Sequence, residues 1–133
     1  MKRSEEKCQR SLLNELAGVP TLLLLLSRVS AQCNSERELQ DRVAKVLTEA
    51  GIKHHREFML PGVGRLDFYV YELGIAIETK TKDGRAKVLR QIKAYADEAD
   101  VRGVIVMSRQ PLAIPATLSG KPIYNAEIWK NFA

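Results

Sequence analysis

The sequence has few of the features that mark zinc-binding, disulfide-stabilised or membrane-spanning proteins. It contains two cysteines, Cys8 and Cys33, and neither has another cysteine or a histidine at the spacing of a structural zinc site. Two scattered thiols are more typical of a reduced cytoplasmic protein, although a single disulfide stays open. The leucine run Leu22–Leu26 is far shorter than the roughly 20 residues that cross a bilayer. We therefore expect a cytoplasmic protein with no membrane partner.

Low-complexity tracts and internal repeats are also absent from the 133 residues, a length that fits one globular domain. Hydrophobic residues make up 45% of the chain and charged residues 28%, an ordinary globular balance. The net charge of +5 favours a polyanionic partner without identifying one. We divide the chain into an N-terminal helical extension, residues 1–34, and a main domain, residues 35–133. Leu22–Leu26 is expected to pack in the core or against a second subunit.

The middle of the chain predicts a β-hairpin. Aromatic and β-branched residues crowd two runs, Leu66–Tyr71 and Ile75–Thr81, and the turn between them ends at Gly74. Because side chains alternate along a strand, Glu78 and Lys80 share one face of the second run. The first run carries one acidic residue in a position to join them.

That residue is Asp67, which can lie on the face of Glu78 and Lys80 if Leu66 and Phe68 on either side of it point the other way. Two carboxylates close together in apolar surroundings repel each other unless a cation lies between them. Oxygen ligands suit Mg²⁺ or Mn²⁺ better than a soft metal.

A hard divalent metal at this place would use the carboxylates of Asp67 and Glu78 and the backbone carbonyl of Thr79. Lys80 would then stand beside the metal, where it could orient or deprotonate an attacking water or stabilise charge developing on a phosphate. The cluster therefore predicts hydrolysis of phosphodiester bonds.

Asp67, ten intervening residues and Glu78-Thr79-Lys80 resemble the motif of the PD-(D/E)XK nuclease superfamily, which has the restriction-endonuclease-like fold. Leu66 stands where that motif usually has proline. The resemblance implies an α/β protein with an αβββαβ core, in which helices flank a mixed central sheet. The elements predicted over Ser35–Ser108 follow the same order.

The first helix of this core is predicted over Ser35–Ala50. Ser35 and Glu38 form a capping box, and Gly51 supplies the C-terminal stop. Glu36 falls within the apolar arc of the helix. In the superfamily a glutamate of the first helix completes the metal site, and the resemblance gives this role to Glu36, with Glu38 as the fallback. Alternatively, Glu36 is a first-turn acid favoured by the helix dipole.

A second helix is predicted over Arg85–Ala99. Gln91 and Tyr95 lie one turn apart on it and resemble the Gln-x-x-x-Tyr motif of the RecB-like and phage-exonuclease-like branch, which contacts substrate or supports the site. Basic residues in and before this helix are candidate phosphate contacts, or an ordinary solvated face. These residues are Lys82, Arg85, Lys87, Arg90 and Lys93.

Two further strands are predicted after this helix. Val101–Ser108 is β-branched nearly throughout, which is typical of a buried parallel strand. Pro122–Trp129 is predicted as a short edge strand after a turn at Leu118–Gly120.

Taken together, the sequence predicts a Mg²⁺- or Mn²⁺-dependent deoxyribonuclease of a phage or mobile element. The alternative is a catalytically inactive nucleic-acid-binding or regulatory module on the same fold. A homodimer is expected because a DNA duplex has two strands to cut and each chain has one site.

Overall fold

The computed structural model describes residues 18–29, 33–80, 84–108 and 112–127, which form a mixed six-stranded sheet and three helices. Residues 18–27 form helix α1. The other helices are α2 (Glu36–Glu49) and α3 (Arg85–Ala96). The strands are β1 (His55–Leu60), β2 (Gly64–Val70), β3 (Ile75–Lys80), β4 (Gly103–Ser108), β5 (Thr117–Leu118) and β6 (Lys121–Glu127).

The sheet has the strand order β1-β2-β3-β4-β6-β5. The strand β2 is antiparallel to both of its neighbours, β1 and β3; β3, β4 and β6 are parallel, and β5 is antiparallel to β6. The predicted α/β class is therefore confirmed, as is the predicted order of elements over residues 35–108. That this arrangement is the restriction-endonuclease-like core stays a prediction.

Local signals fix both ends of α2. The Ser35 side chain accepts a hydrogen bond from the Glu38 N–H, and the Asn34 N–H donates to the Glu38 carboxylate at 2.9 Å. At the other end Gly51 adopts a φ of +71°, a left-handed conformation that glycine reaches without strain. The predicted N-cap and C-terminal stop are thus confirmed.

Two hydrophobic clusters cover the two faces of the sheet. The α2-side cluster joins α1 and α2 to one face, and its members include Leu22, Leu26, Leu39, Val43, Leu47, Phe68, Ile75, Ile77, Ile105 and Met107. The α3-side cluster joins α3 to the other face, and its members include Leu66, Tyr69, Ala76, Val88, Ile92, Tyr95, Val104 and Val106. The candidate active site lies at the end of β3, between these two clusters.

The leucine run belongs to the α2-side cluster. Leu22 and Leu26 are fully buried, whereas Leu24 keeps 58% of its surface exposed, as expected for a helix with one face on the core. Packing of this run in the core is therefore confirmed. The division of the chain at residue 34 stays a prediction, and the predicted helix before residue 18 lies outside the described residues. No helix within the described ranges is long and apolar enough to cross a membrane.

The strand β4 lies inside the sheet, with all six of its residues buried, and pairs in parallel with β3 and β6. This confirms the predicted buried parallel strand. The predicted edge position of the last strand is wrong only at its first residue, because β5 pairs with Lys121 and Pro122 and the pairing does not extend along the rest of β6. A two-residue hairpin turn joins β5 to β6, in which Ser119 and Gly120 have φ values of +52° and +73°.

The strand β2 departs from regular alternation at Asp67. Leu66 packs in the α3-side cluster and Phe68 in the α2-side cluster, so the prediction that both lie on one face, opposite Asp67, is wrong. Opposite Asp67 on β1, Glu57 has a φ of +54°, and the backbone pairing of β1 with β2 skips these two residues. The Asp67 side chain reaches β3, where it accepts hydrogen bonds from Thr79.

Replacing Leu26 by alanine tests whether α1 is part of the cooperative fold. Leu26→Ala is expected to lower the free energy of unfolding by about 2–5 kcal/mol, because the residue is fully buried. Leu24→Ala, on the exposed side of the same helix, is expected to change it by less than about 0.5 kcal/mol. Urea unfolding followed by circular dichroism measures both values, and equal effects of the two variants would contradict the packing described here.

Candidate active site

The site lies where β2 and β3 stop pairing. Their backbone pairing covers residues 68–70 and 75–77, and the next residues on the two strands are Asp67 and Glu78. Beyond this point the Asp67 side chain, and not the backbone of β2, accepts hydrogen bonds from β3. Its Oδ2 atom accepts hydrogen bonds from the Thr79 backbone N–H at 2.8 Å and from the Thr79 hydroxyl at 2.9 Å. The strands therefore separate without leaving the Thr79 N–H unpaired.

Glu78 and Lys80 lie together on the face of β3 that is covered by α3, as the alternation of the strand predicted. Only 2% of the surface of Glu78 and 8% of that of Lys80 is exposed. The Lys80 Nζ atom lies 3.3 Å from Glu78 Oε1, so the two groups form a buried ion pair. Burial of such charges is unfavourable unless each is paired and hydrogen-bonded.

The ion pair does not satisfy Glu78. Burial, and then the nearby charge of Asp67, raises the pKa of Glu78 from 4.5 to about 8, although Lys80 acts in the opposite direction. Its second oxygen, Oε2, is buried and has no hydrogen-bond partner among the described residues. Two neighbouring carboxylates, one with an unpaired oxygen, are a donor set that fits a hard divalent cation.

Tyr95 brings α3 to this cluster. Its hydroxyl donates to the Arg65 carbonyl oxygen at 3.3 Å and lies close to Glu78. Burial first, and then the charge of Glu78, raises the pKa of Tyr95, so the hydroxyl keeps its proton at neutral pH. Gln91 lies one turn earlier on the helix, and its Oε1 atom is the other buried side-chain oxygen without a partner in the described part of the chain.

Both unpaired oxygens thus belong to residues that the sequence had selected, Glu78 and Gln91. Unpaired buried acceptors are rare in folded proteins because each one loses its hydrogen bonds to water. Here the two oxygens belong to residues that the sequence predicts to contact a metal or a substrate.

Glu36 lies at the start of α2, half-buried, beside an open polar groove of about 610 Å³. The groove is lined by Glu36, Arg37, Gln40, Asp41, Arg56 and Glu57. The fallback residue Glu38 is engaged by the helix cap and by an ion pair with Arg42 at 3.0 Å. Within the described ranges, no three acidic, histidine or cysteine side chains form a metal-binding group, so the role of Glu36 stays a prediction.

Sequence reasoning missed Gln40. Its Nε2 atom donates to the Thr79 hydroxyl at 3.2 Å and so connects α2 to the residue between Glu78 and Lys80. A signal was present, because Gln40 lies one turn after Glu36 and shares its side of the helix. For Thr79 the sequence predicted a role of the backbone carbonyl, which stays a prediction, and did not indicate that its side chain is bonded on both sides.

Three of the predicted basic contacts lie together on one flank of α3. Arg85, Arg90 and Lys93 line a groove of about 530 Å³ between α3 and residues 113–118, whose apolar walls include Leu89 and Ile114. At about 100° per residue, this flank of α3 lies on the other side of the buried stripe from Gln91 and Tyr95.

A hydrogen bond and an ion pair engage two of the residues that line this groove. Arg85 Nε donates to the Ala113 carbonyl oxygen at 2.6 Å, and Lys93 forms an ion pair with Asp97 at 3.1 Å. Lys87 is exposed, and Lys82 lies outside the described residues. The helix therefore separates two sets of candidate substrate contacts.

Comparison with protein-family models, with curated proteins and with solved structures finds no match to this chain. The chemistry of the site is therefore argued from its own residues.

The raised pKa of Glu78 predicts how stability depends on pH. Between about pH 4.5 and about pH 8 the folded protein binds more protons at Glu78 than the unfolded chain does. In metal-free protein this contribution to stability is fully present below about pH 4.5 and is lost as the pH rises to about 8. The free energy of unfolding of Glu78→Gln should vary less across this window, because that side chain does not titrate.

Urea unfolding in EDTA at a series of pH values measures this difference. Glu49→Gln, an exposed glutamate of α2, is the matched control and should follow the wild type. Adding Mg²⁺ should raise the Tm of the wild type more at about pH 8 than at about pH 5, because binding requires the carboxylate. A pH dependence that is identical in Glu78→Gln and wild type would contradict the assignment.

Proposed function

We propose that this protein is a divalent-metal-dependent nuclease that hydrolyses phosphodiester bonds in DNA. The observation that carries the proposal is the fork of β2 and β3, where Asp67 and Glu78 lie side by side and Lys80 Nζ is 3.3 Å from Glu78 Oε1. Among the described residues, Glu78 Oε2 has no hydrogen-bond partner. The resemblance to the PD-(D/E)XK motif supports the same conclusion.

Asp67 and Glu78 would hold Mg²⁺ or Mn²⁺, with the Thr79 carbonyl and Glu36 as further predicted ligands. A bound metal would lower the pKa of water and polarise a phosphate oxygen. These residues supply only oxygen atoms, the donors that both ions prefer.

The chain's own residues would position the substrate around that centre. Lys80 would orient the attacking water or stabilise charge on the phosphate from a site shielded from solvent, where its interaction is stronger than in water. The Tyr95 hydroxyl, which keeps its proton, would act as a hydrogen-bond donor beside Glu78. Gln91 would contact the substrate or support the site through its amide.

The groove on the other flank of α3 would contact DNA away from the scissile bond. Arg85, Arg90 and Lys93 form a basic rim above apolar walls, and the chain carries a net charge of +5. Cations on such a rim supply affinity for phosphates without sequence specificity.

The first test is cleavage of supercoiled plasmid and of linear single- and double-stranded DNA in Mg²⁺, Mn²⁺ or EDTA. The wild type is expected to cut in either metal and not in EDTA. Glu78→Ala and Lys80→Ala should each lower the rate by about 100-fold or more, because the first removes a proposed metal ligand and the second removes a cation that would stabilise developing charge. Lys45→Ala, an exposed lysine of α2, serves as the control and should keep wild-type activity.

Folded protein that binds Mg²⁺ but cleaves none of these substrates would contradict the enzyme assignment. It would favour the alternative function, a catalytically inactive nucleic-acid-binding or regulatory module. One observation fits this alternative: Lys80 is already paired with Glu78, and Thr79 is already bonded to Asp67. Retained DNA binding without cleavage would then identify a binding module.

The basic groove gives a separate prediction about DNA affinity. Arg85→Ala combined with Arg90→Ala should weaken binding uniformly across sequences and reduce the slope of log affinity against log salt by about 1 for each lost phosphate contact. Lys53→Ala, an exposed lysine elsewhere on the surface, should leave the slope unchanged. Fluorescence anisotropy at several salt concentrations in EDTA measures this, and an unchanged slope in the double variant would place the DNA elsewhere.

A homodimer and a cytoplasmic location are part of the proposal. The dimer follows from the need to cut two strands with one site per chain, and sedimentation equilibrium with and without DNA tests it. A monomer in both conditions would leave each chain to cut one strand.

A further inference from the structure

Thr79 is a polar residue in an otherwise apolar row. On the side of β3 that faces α2, Ile75 and Ile77 precede it, and all three are buried. A valine would fill almost the same volume without a hydroxyl. Burying a hydroxyl is unfavourable unless it is hydrogen-bonded, so its partners indicate what it does here.

A hydroxyl has one proton to donate and lone pairs that accept. Gln40 Nε2 donates to the Thr79 hydroxyl at 3.2 Å, which occupies a lone pair, and the hydroxyl proton is donated to Asp67 Oδ2 at 2.9 Å. The Thr79 backbone N–H donates to the same oxygen at 2.8 Å. These bonds form a directed chain from Gln40 through Thr79 to Asp67.

Both donors from Thr79 use one oxygen of the carboxylate. The contacts among these three residues therefore leave Oδ1 of Asp67 for another ligand. Two hydrogen bonds also hold Oδ2 in place more firmly than one would.

Packing of α2 on the core fixes the backbone of Gln40, the first donor in this series of hydrogen bonds. Gln40 lies on α2 next to Leu39, which is fully buried, and three residues before the equally buried Val43. The helix cannot move relative to the sheet without disturbing the α2-side cluster, so the Gln40 amide is presented to Thr79 from a fixed position.

We infer that Gln40 and the Thr79 hydroxyl are positioning residues, which orient the Asp67 carboxylate for the metal through the hydrogen bonds Gln40 Nε2 to Thr79 Oγ1 to Asp67 Oδ2. The inference rests on the proposed function, because it assigns Asp67 to a metal. Partners of this kind orient ligands, and their loss typically lowers metal affinity by about 10- to 100-fold.

The test is the affinity of Mn²⁺ for the whole chain, measured by calorimetry in the absence of DNA. Thr79→Val removes the hydroxyl at constant volume and is expected to weaken Mn²⁺ binding by about 10-fold or more, and Gln40→Met should weaken it in the same direction. Thr79→Ser keeps the hydroxyl and should restore binding to within about threefold of the wild type. Thr48→Val, which removes an exposed hydroxyl of α2, is the matched control and should bind as the wild type does.

Combining the variants tests whether the hydrogen bonds act in the order Gln40, Thr79, Asp67. Adding Gln40→Met to Thr79→Val should produce no further loss of affinity, because Gln40 acts through the hydroxyl that is already gone. Thermal unfolding of each variant in EDTA shows whether it is folded and how stable it is. A purely structural role would lower the metal-free Tm and leave the Mn²⁺ affinity unchanged.

The inference is overturned if Gln40→Met or Thr79→Val binds Mn²⁺ as the wild type does, or if their effects add in the double variant. A wild type that does not bind Mn²⁺ would instead contradict the proposed function itself and the inference with it. The two failures are therefore distinguishable by the wild-type titration alone.

Discussion

The candidate site depends on the hydrogen bond between the Asp67 carboxylate and the Thr79 backbone N–H. A strand inside a sheet has to pair its N–H groups, and two strands that separate usually leave such groups unpaired. Here a carboxylate accepts the bond, so β2 and β3 can separate while β3 continues as a buried strand. The same contact brings a negative charge next to Glu78, which adds to the effect of burial in raising the pKa of Glu78.

The parts of the site that obey local rules could be predicted from the sequence. The two-residue period of β3 was enough to place Glu78 and Lys80 on one face, and Ser35 and Gly51 were enough to bound α2. The contact of Gln40 with Thr79 could not be predicted in the same way. It depends on which part of α2 crosses the end of β3, and that is set by packing between residues distant in the sequence.

One other error has the same origin. Leu66 and Phe68 were assigned to one face because regular alternation was assumed through Asp67, where the backbone is distorted opposite Glu57. The sequence also gives the angles of the basic residues around α3 but not the neighbours on each flank. In the fold one flank meets the carboxylates and the other meets residues 113–118.

The packing of α1 bears on how the chain is to be divided into units. A boundary drawn from motifs separates the first 34 residues from the part that carries the chemistry, but Leu22 and Leu26 share one core with Leu39 on α2. The same helix presents Gln40 to the sheet. Any force or ligand that displaced α1 would therefore loosen α2, whose Gln40 contacts Thr79 between Glu78 and Lys80. The N-terminal leucines thus belong to the same cooperative unit as the candidate site.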